Sequence, residues 1–476
     1  MKNISEKNEK IIISAAFAVF SCIYLSLVWN SNVWMDEAFS ASLVHTDFSG
    51  VIKRSMADTL PPLYNILLFG MTKVFGYSIP VMKITSVIPM LLTLVLGAVK
   101  VRRRFSLKTA LLFMTFITLM PLMLYFGVEI RMYSLGFFFA TGSGIYAYEA
   151  VKENTFRSWA GFTVFSVLAG YTHHFAFVTA GFSYLYVLIY FIICERKRLK
   201  SWFICLLATI VLYTPCLIIT LRQISRVSGY FSMPDIDLPL FVQYMAYPYI
   251  SGMKAGTVLA AALMAASLVI FAYGVIKGGS RNPECIYAGC CFTVYYGVLI
   301  FGTVVSKIMS ANIFVDRYMF FATGLLWLFA AIMLSRSDRT FIAAAAISVA
   351  VGACTYAVTF SGEYATSADE EIAFLSENIN EGDVLYCIGG HEELQNCIPF
   401  YTYVDGSAAE LTFMFPLDAA ADLSEKNGSD LWIAVLDGAS PDDSDLETLE
   451  GYGLCMEKEA DFEFDRYRCE FYKAKR

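Results

Sequence analysis

An adjacent acidic pair, Asp36–Glu37, stands in the run Trp34–Met35–Asp36–Glu37, just after the first long apolar stretch. A carboxylate in such a place can take the proton from an attacking hydroxyl. Neighbouring side chains on a helix point about 100° apart, so one can act while the other holds it in place. Farther along, EIRMY carries Glu129, Arg131 and Tyr133, and DRYMF carries Asp316, Arg317 and Tyr318. Arginine offers a planar fork of donors that suits a phosphate, and a tyrosine hydroxyl adds a neutral donor. Three smaller polar groups complete the set: Asp58 with Pro61–Pro62 and Tyr64, the pair His173–His174, and Arg222 with Gln223 and Arg226. Together they supply a base and phosphate-binding cations, which is the equipment for moving a group off a phosphate. Each also has a plainer use. Paired carboxylates cap helix starts, arginines at span ends snorkel to the interface, and paired histidines are more often a polar turn than a metal site. The case rests on where they stand together.

The elements that must position them are membrane spans. The chain has 476 residues, of which 57% are hydrophobic and only 16% charged, and the charges cluster between long apolar runs. A soluble chain of this length carries about a quarter charged residues. Length and flanking bases give eleven expected spans with cores at 11–29, 80–101, 109–127, 134–151, 158–172, 175–194, 201–221, 256–277, 285–305, 317–334 and 340–360. The first is read as an uncleaved span, because its apolar run is long and no small-residue cleavage site follows. Alternate loops then hold Arg102–Arg104, Lys152 with Arg157, Arg196–Arg198, Lys277 with Arg281, and Arg336 with Arg339. That side, with the N-terminus, carries 18 bases against 10 on the other. The positive-inside rule therefore puts the N-terminus in the cytoplasm, and every polar group named above falls on the outer face. Pro61–Gly76 is apolar but short and broken by Lys73, and is expected to lie in the outer interface.

The charge divides the chain. Residues 1–360 hold 15 acids and 28 bases, whereas residues 361–476 hold 27 acids and 7 bases. A membrane domain over 1–360 is thus followed by an acidic, extracytoplasmic domain over 361–476. The tail reads as a small α/β fold, with a helix at Glu370–Asn380, strands at Asp383–Ile388 and Leu431–Leu436, and a terminal hairpin within Leu454–Tyr472. Cys387, Cys397, Cys455 and Cys469 lie there and could pair as disulfides outside the cell. No glycine-rich phosphate loop is present, and the charge pattern gives no reason to expect nucleic acid. The partners to expect are membrane lipids and a lipid-linked substrate.

In order and spacing, WMDEAFS (34–40), DTLPPLY (58–64), EIRMYSL (129–135), YTHHF (171–175) and DRYMF (316–320) resemble the GT-C superfamily of membrane glycosyltransferases. The branch they look most like is that of the protein O-mannosyltransferases and lipid A aminoarabinose transferases, over roughly residues 10–360. The resemblance implies a polytopic α-helical GT-C fold with interfacial helices. It also implies an inverting hexosyl or pentosyl transfer from a polyprenyl-phosphate sugar to a protein, lipid or envelope-glycan acceptor at the outer face of the plasma membrane. It makes Asp36, with Glu37, the catalytic carboxylates. It puts Arg131, Tyr133, Arg317 and Tyr318 at the carrier phosphate, with Asp58, Tyr64, Glu129, His173, His174 and Arg222 lining the site. No cofactor is required by a monophosphate leaving group; a divalent metal, where relatives carry one, would sit at Asp36 and Glu37. Two departures stand out: Leu60 precedes Pro61–Pro62 where mannosyltransferases have histidine, and no lysine adjoins the acidic residue there as in the aminoarabinose enzymes. A competing reading, a transporter or flippase of a lipid-linked sugar, expects polar groups near the bilayer midplane in repeated halves. No repeat is visible in this sequence.

Overall fold

The computed structural model describes residues 5–227, 236–249, 264–269, 272, 283–309, 313–380, 382–388, 409–411, 417–436, 439–463 and 468–475. Its helices are α1 Glu6–Leu25, α2 Met35–Val44, α3 Phe48–Ala57, α4 Leu63–Phe75, α5 Ile79–Leu96, α6 Leu107–Leu119, α7 Met123–Val128, α8 Tyr133–Glu153, α9 Phe156–Thr172, α10 His174–Cys194, α11 Leu199–Val227 and α12 Leu238–Ala246. They continue as α13 Pro283–Ile308, α14 Phe320–Leu334, α15 Asp338–Glu363, α16 Asp369–Asn378, α17 Leu417–Asn427 and α18 Asp443–Gly451. Among the described residues, seven helical runs are long and apolar enough to cross a membrane: Glu6–Leu25, Ile79–Arg104, His174–Cys194, Arg196–Gln223, Pro283–Ile308, Asp316–Leu334 and Asp338–Glu363. Helices α8 and α9 form where two further spans were expected. The expected span at 256–277 lies outside the described residues except for 264–269 and 272, which are helical.

The chain divides into two compact units. The first comprises 1–27, 52–68 and 83–359; the second comprises 28–51, 69–82 and 360–476.

In the first unit, the expected span at 109–127 is interrupted. Helix α6 stops at Leu119, and Met120 takes an extended backbone (φ −73°, ψ 153°). Pro121 is the cause: its ring disfavours helical geometry in the residue before it and it has no N–H to continue the ladder. Leu122 then turns left-handed at φ 68° before α7 begins. That is a costly conformation for leucine, and it redirects the chain into the EIRMY segment. Helices α8 and α14 pack through small residues. A β-carbon on Gly136 would sit 2.5 Å from the Phe321 ring, and one on Gly144 would sit 2.4 Å from Leu325. With Ala140 between them, these positions recur every fourth residue along one face, the spacing that lets two membrane helices approach closely. This packing puts the starts of α8 and α14, where Tyr133 and Tyr318 stand, side by side. At its other end α8 is anchored by Glu149, which is buried and held by Lys100 Nζ (2.8 Å) and Arg104 Nε (2.8 Å) from the extension of α5. A π-turn at Gly97–Val101 contains Lys100 and leads into Arg104, setting the register of the two bases.

The second unit contains a five-stranded sheet. Its strands are β1 Asp383–Ile388, β2 Ala409–Leu411, β3 Leu431–Leu436, β4 Cys455–Glu463 and β5 Arg468–Lys475, in the order β2-β1-β3-β5-β4. Strand β1 runs parallel to β2 and β3, and β5 runs antiparallel to β3 and β4. All six residues of β1 and of β3 are buried, as continuous apolar strands covered on both faces must be. The edge hairpin is charged instead: Asp461 pairs with Arg468 and Lys458, and Lys475 with Glu457 and Glu459. The Arg468 and Lys458 contacts hold the Asp461 carboxyl well below the usual carboxylate range. Charged edges of this kind discourage pairing with other chains. Cys387 and Cys469 are buried in β1 and β5, Cys455 is a free thiol at the exposed start of β4, and Cys397 lies outside the described residues.

Candidate active site

In the first unit, the Glu129–Tyr133 segment is turned tightly between α7 and α8. The Arg131 N–H donates to the Glu129 carbonyl at 2.6 Å, and Glu129, Arg131 and Tyr133 are all buried. Tyr133 lies within electrostatic reach of Arg131, Arg317, Glu129 and Tyr318. Arg317 and Tyr318 stand in a short 3-10 turn, Asp316–Met319, which leads into α14. That turn is pinned by the Asp316 carboxylate, which accepts the Arg317 N–H at 2.7 Å. Two motifs separated by more than 180 residues thus meet. An aromatic wall backs them, in which Phe126 contacts Tyr133 (5.0 Å) and Phe320 (5.2 Å), and Phe321 contacts Tyr133 (6.1 Å).

His173 occupies the break between α9 and α10 and packs on Tyr318 (4.6 Å) and Phe321 (4.4 Å). Its Nδ1 accepts the Phe175 N–H at 3.1 Å. Burial pushes its pKa well below the ordinary histidine range, with the charges of His174, Arg131 and Arg317 adding to the effect. The ring is therefore neutral, and with Nδ1 acting as acceptor its proton sits on Nε2. Nε2 is buried and meets no hydrogen-bond partner among the described residues. His173 lines a cavity of about 330 Å³ whose other walls include His174, Gln223 and Tyr318 and, over most of the surface, apolar side chains such as Phe177, Leu217, Phe301 and Val305. A neutral histidine lining an apolar cavity, within electrostatic reach of two arginines, is suited to an anion carried on a hydrocarbon chain.

The remaining residues of this unit frame that cavity. His174 Nε2 contacts the Thr59 carbonyl at 3.2 Å. Gln223 Nε2 donates to the carbonyls of Asp58 (2.9 Å) and Leu60 (3.0 Å), so the loop ahead of Pro61–Pro62 is held by its backbone. Asp58 itself is partly exposed and accepts a long hydrogen bond from Thr59 (3.4 Å). Tyr64 turns into the helix packing, where its hydroxyl meets Ser86 of α5 at 2.8 Å. Arg222 is exposed one residue before Gln223. One residue escaped the sequence reading: Lys83, which is 2% exposed within the apolar helix α5, one turn before Ser86. A lysine inside the first turns of an apolar span was the available signal, since burying a charge there is costly.

Asp36 and Glu37 belong to the second unit, in the first turn of α2. Glu37 is buried, and its carboxylate folds back to accept the Trp34 N–H at 3.1 Å. It therefore caps the helix, the geometry of an acidic group against the positive end of the helix dipole. Asp36 is partly buried, and its carbonyl accepts the Ser40 hydroxyl at 3.1 Å. Among the described residues no group of three or more His, Cys, Asp or Glu side chains is arranged to hold a metal ion. A metal at Asp36 and Glu37 would draw on two carboxylates, one of which is already committed to the cap.

No family model matches the sequence, and no curated protein does. Solved structures do. ArnT from Cupriavidus metallidurans bound to undecaprenyl phosphate has a TM-score of 0.67 at 11% identity, covering 98% of this chain and 98% of that one. The same protein in the apo state gives 0.63 at 11% identity over 97% of each chain. The likeness is one of fold, and it is the GT-C fold that the order of motifs led us to expect.

Proposed function

We propose that this chain is a membrane glycosyltransferase that moves a sugar from a polyprenyl-phosphate carrier to an acceptor hydroxyl or amine at the outer face of the plasma membrane, with its N-terminus in the cytoplasm. The observation that carries this reading is the His173 cavity: a largely apolar slot lined by His173 and Tyr318, with Arg131 and Arg317 close enough to His173 to act on it electrostatically. Arginine guanidinium groups in such a low-dielectric setting suit a phosphate through charge-assisted hydrogen bonds. That ArnT is seen bound to undecaprenyl phosphate on the same fold agrees with a prenyl chain in such a slot.

In this reading Arg131, Arg317, Tyr133 and Tyr318 hold the carrier phosphate, the His173 Nε2–H adds a donor without a third positive charge, and buried Lys83 supplies a further cation. Asp36 takes the acceptor's proton as its oxygen or nitrogen attacks the anomeric carbon. The bond from that carbon to the phosphate oxygen breaks with inversion, and the polyprenyl phosphate leaves with the electron pair, its charge stabilised by the arginines. Glu37 orients Asp36 through the cap. The test is turnover of radiolabelled polyprenyl-phosphate sugars by the purified protein in lipid, offered a panel of cell-envelope acceptors. Release of label from one donor supports the reading; passage of intact donor across the bilayer without release would replace it with a flippase.

A further inference from the structure

The short segment before the acidic pair is tied to the root of the C-terminal domain. Asn32 Nδ2 donates to the Thr366 carbonyl (2.8 Å) and hydroxyl (3.0 Å), and Asn30 Nδ2 reaches the same carbonyl at 3.5 Å. The Ser31 hydroxyl meets that of Ser367 at 3.0 Å and accepts the Ala368 N–H at 3.0 Å. Within the segment, the Asn32 N–H donates to Asn30 Oδ1 at 2.6 Å, closing a turn that fixes both amides. The far side of the contact is equally rigid. Ala368 is fully buried and caps α16, whose Phe374 packs on Trp432 (5.8 Å), Phe462 (5.6 Å) and Phe471 (5.4 Å) of the sheet. On the near side, Trp34 follows Asn32 by two residues and opens α2, where Glu37 locks the first turn.

We infer that the C-terminal domain is part of the catalytic machinery: through Thr366–Ala368 it buttresses Asn30–Asn32 and so fixes where Asp36 points. The strands and α16 make one packed body, the hydrogen bonds join it to the loop, and the loop ends four residues from the carboxylate. Ser31, Asn32 and Thr366 are positioning residues, and their role rests on the assignment of Asp36 as the base. A base must reach its proton at about 3 Å, and misplacement by an ångström costs on the order of 100-fold.

The test uses the full-length protein in lipid and compares Ser31→Ala/Asn32→Ala with wild type, Asp36→Asn and the combined triple variant. Donor affinity is measured by equilibrium binding and kcat by single turnover. The expected result is a fall in kcat of about 10- to 100-fold for the double variant at unchanged donor affinity. No further loss should appear when the pair is added to Asp36→Asn, since residues acting through one group are not additive. Ser31→Thr, which keeps the hydroxyl, should retain most of the rate. Wild-type kcat in the double variant, a full additive loss on top of Asp36→Asn, or a parallel collapse of donor affinity would each overturn the buttress. If Asp36→Asn itself transfers sugar at the wild-type rate, the base assignment falls and takes the buttress with it.

Discussion

The two polar regions are built on opposite principles. The arginine–tyrosine–histidine cluster of the first unit is set by helix packing. Gly136, Ala140 and Gly144 let α8 close on α14, Pro121 breaks the chain ahead of Arg131, and aromatic rings wall the result. The Asp36 region of the second unit is set by hydrogen bonds between short side chains and backbone, from Asn30 through Glu37, with the sheet domain behind them. Apolar packing within a membrane gives a rigid, dry wall suited to holding an anion. A hydrogen-bonded loop tied to the sheet domain fixes the first turn of α2, and with it the backbone that carries Asp36. In the proposed reading this is a division of labour, with donor binding assigned to residues of the first unit and proton transfer to Asp36 of the second.

Breaking either side should give a distinct signature. The largest effect is expected from Asp36→Asn, which keeps shape and loses the base: kcat falls by about 10²–10⁴-fold, read by release of label from the donor, while donor affinity stays put. Next comes Arg131→Ala. Losing charge-assisted hydrogen bonds to a phosphate should weaken donor binding by about 10- to 100-fold, measured by equilibrium titration with polyprenyl phosphate. His173 sharpens the picture. His173→Asn keeps an acceptor for the Phe175 N–H but loses the Nε2 donor, and should cost roughly tenfold in affinity, whereas His173→Gln restores a donor at that reach and should bind better than the Asn variant. The smallest effect is expected from Arg468→Ala on the exposed edge hairpin, which should leave transfer unchanged and barely move the melting temperature.

Much of the fold could be read from the chain, because long apolar runs and loop bases report spans directly and six-residue apolar runs report buried strands. Strands β1 and β3 begin and end where their residues predict, and α9 and α10 meet at His173, with α10 starting one residue earlier than the expected span at 175–194. The break at Met120–Leu122 was missed: Pro121 sat inside a run apolar enough to pass for a continuous span. In the candidate site the residue types were legible but their tasks were not. Nothing in the pair Asp36–Glu37 says which carboxylate caps the helix, since that depends on which rotamer reaches the Trp34 N–H. The neutral tautomer of His173 needed the Phe175 contact, and Lys83 passed as one base among those on the outer side. The tie between Asn32 and Thr366 spans 334 residues of sequence, and no local pattern announces it.

The most direct measurement is donor affinity and single-turnover transfer in the same lipid preparation for wild type, Asp36→Asn and Arg131→Ala. The division of labour predicts opposite patterns: Asp36→Asn binds the polyprenyl-phosphate sugar as wild type does and fails to release it, while Arg131→Ala loses affinity. If Asp36→Asn loses donor binding as completely as Arg131→Ala, or releases the sugar at the wild-type rate, the account is contradicted.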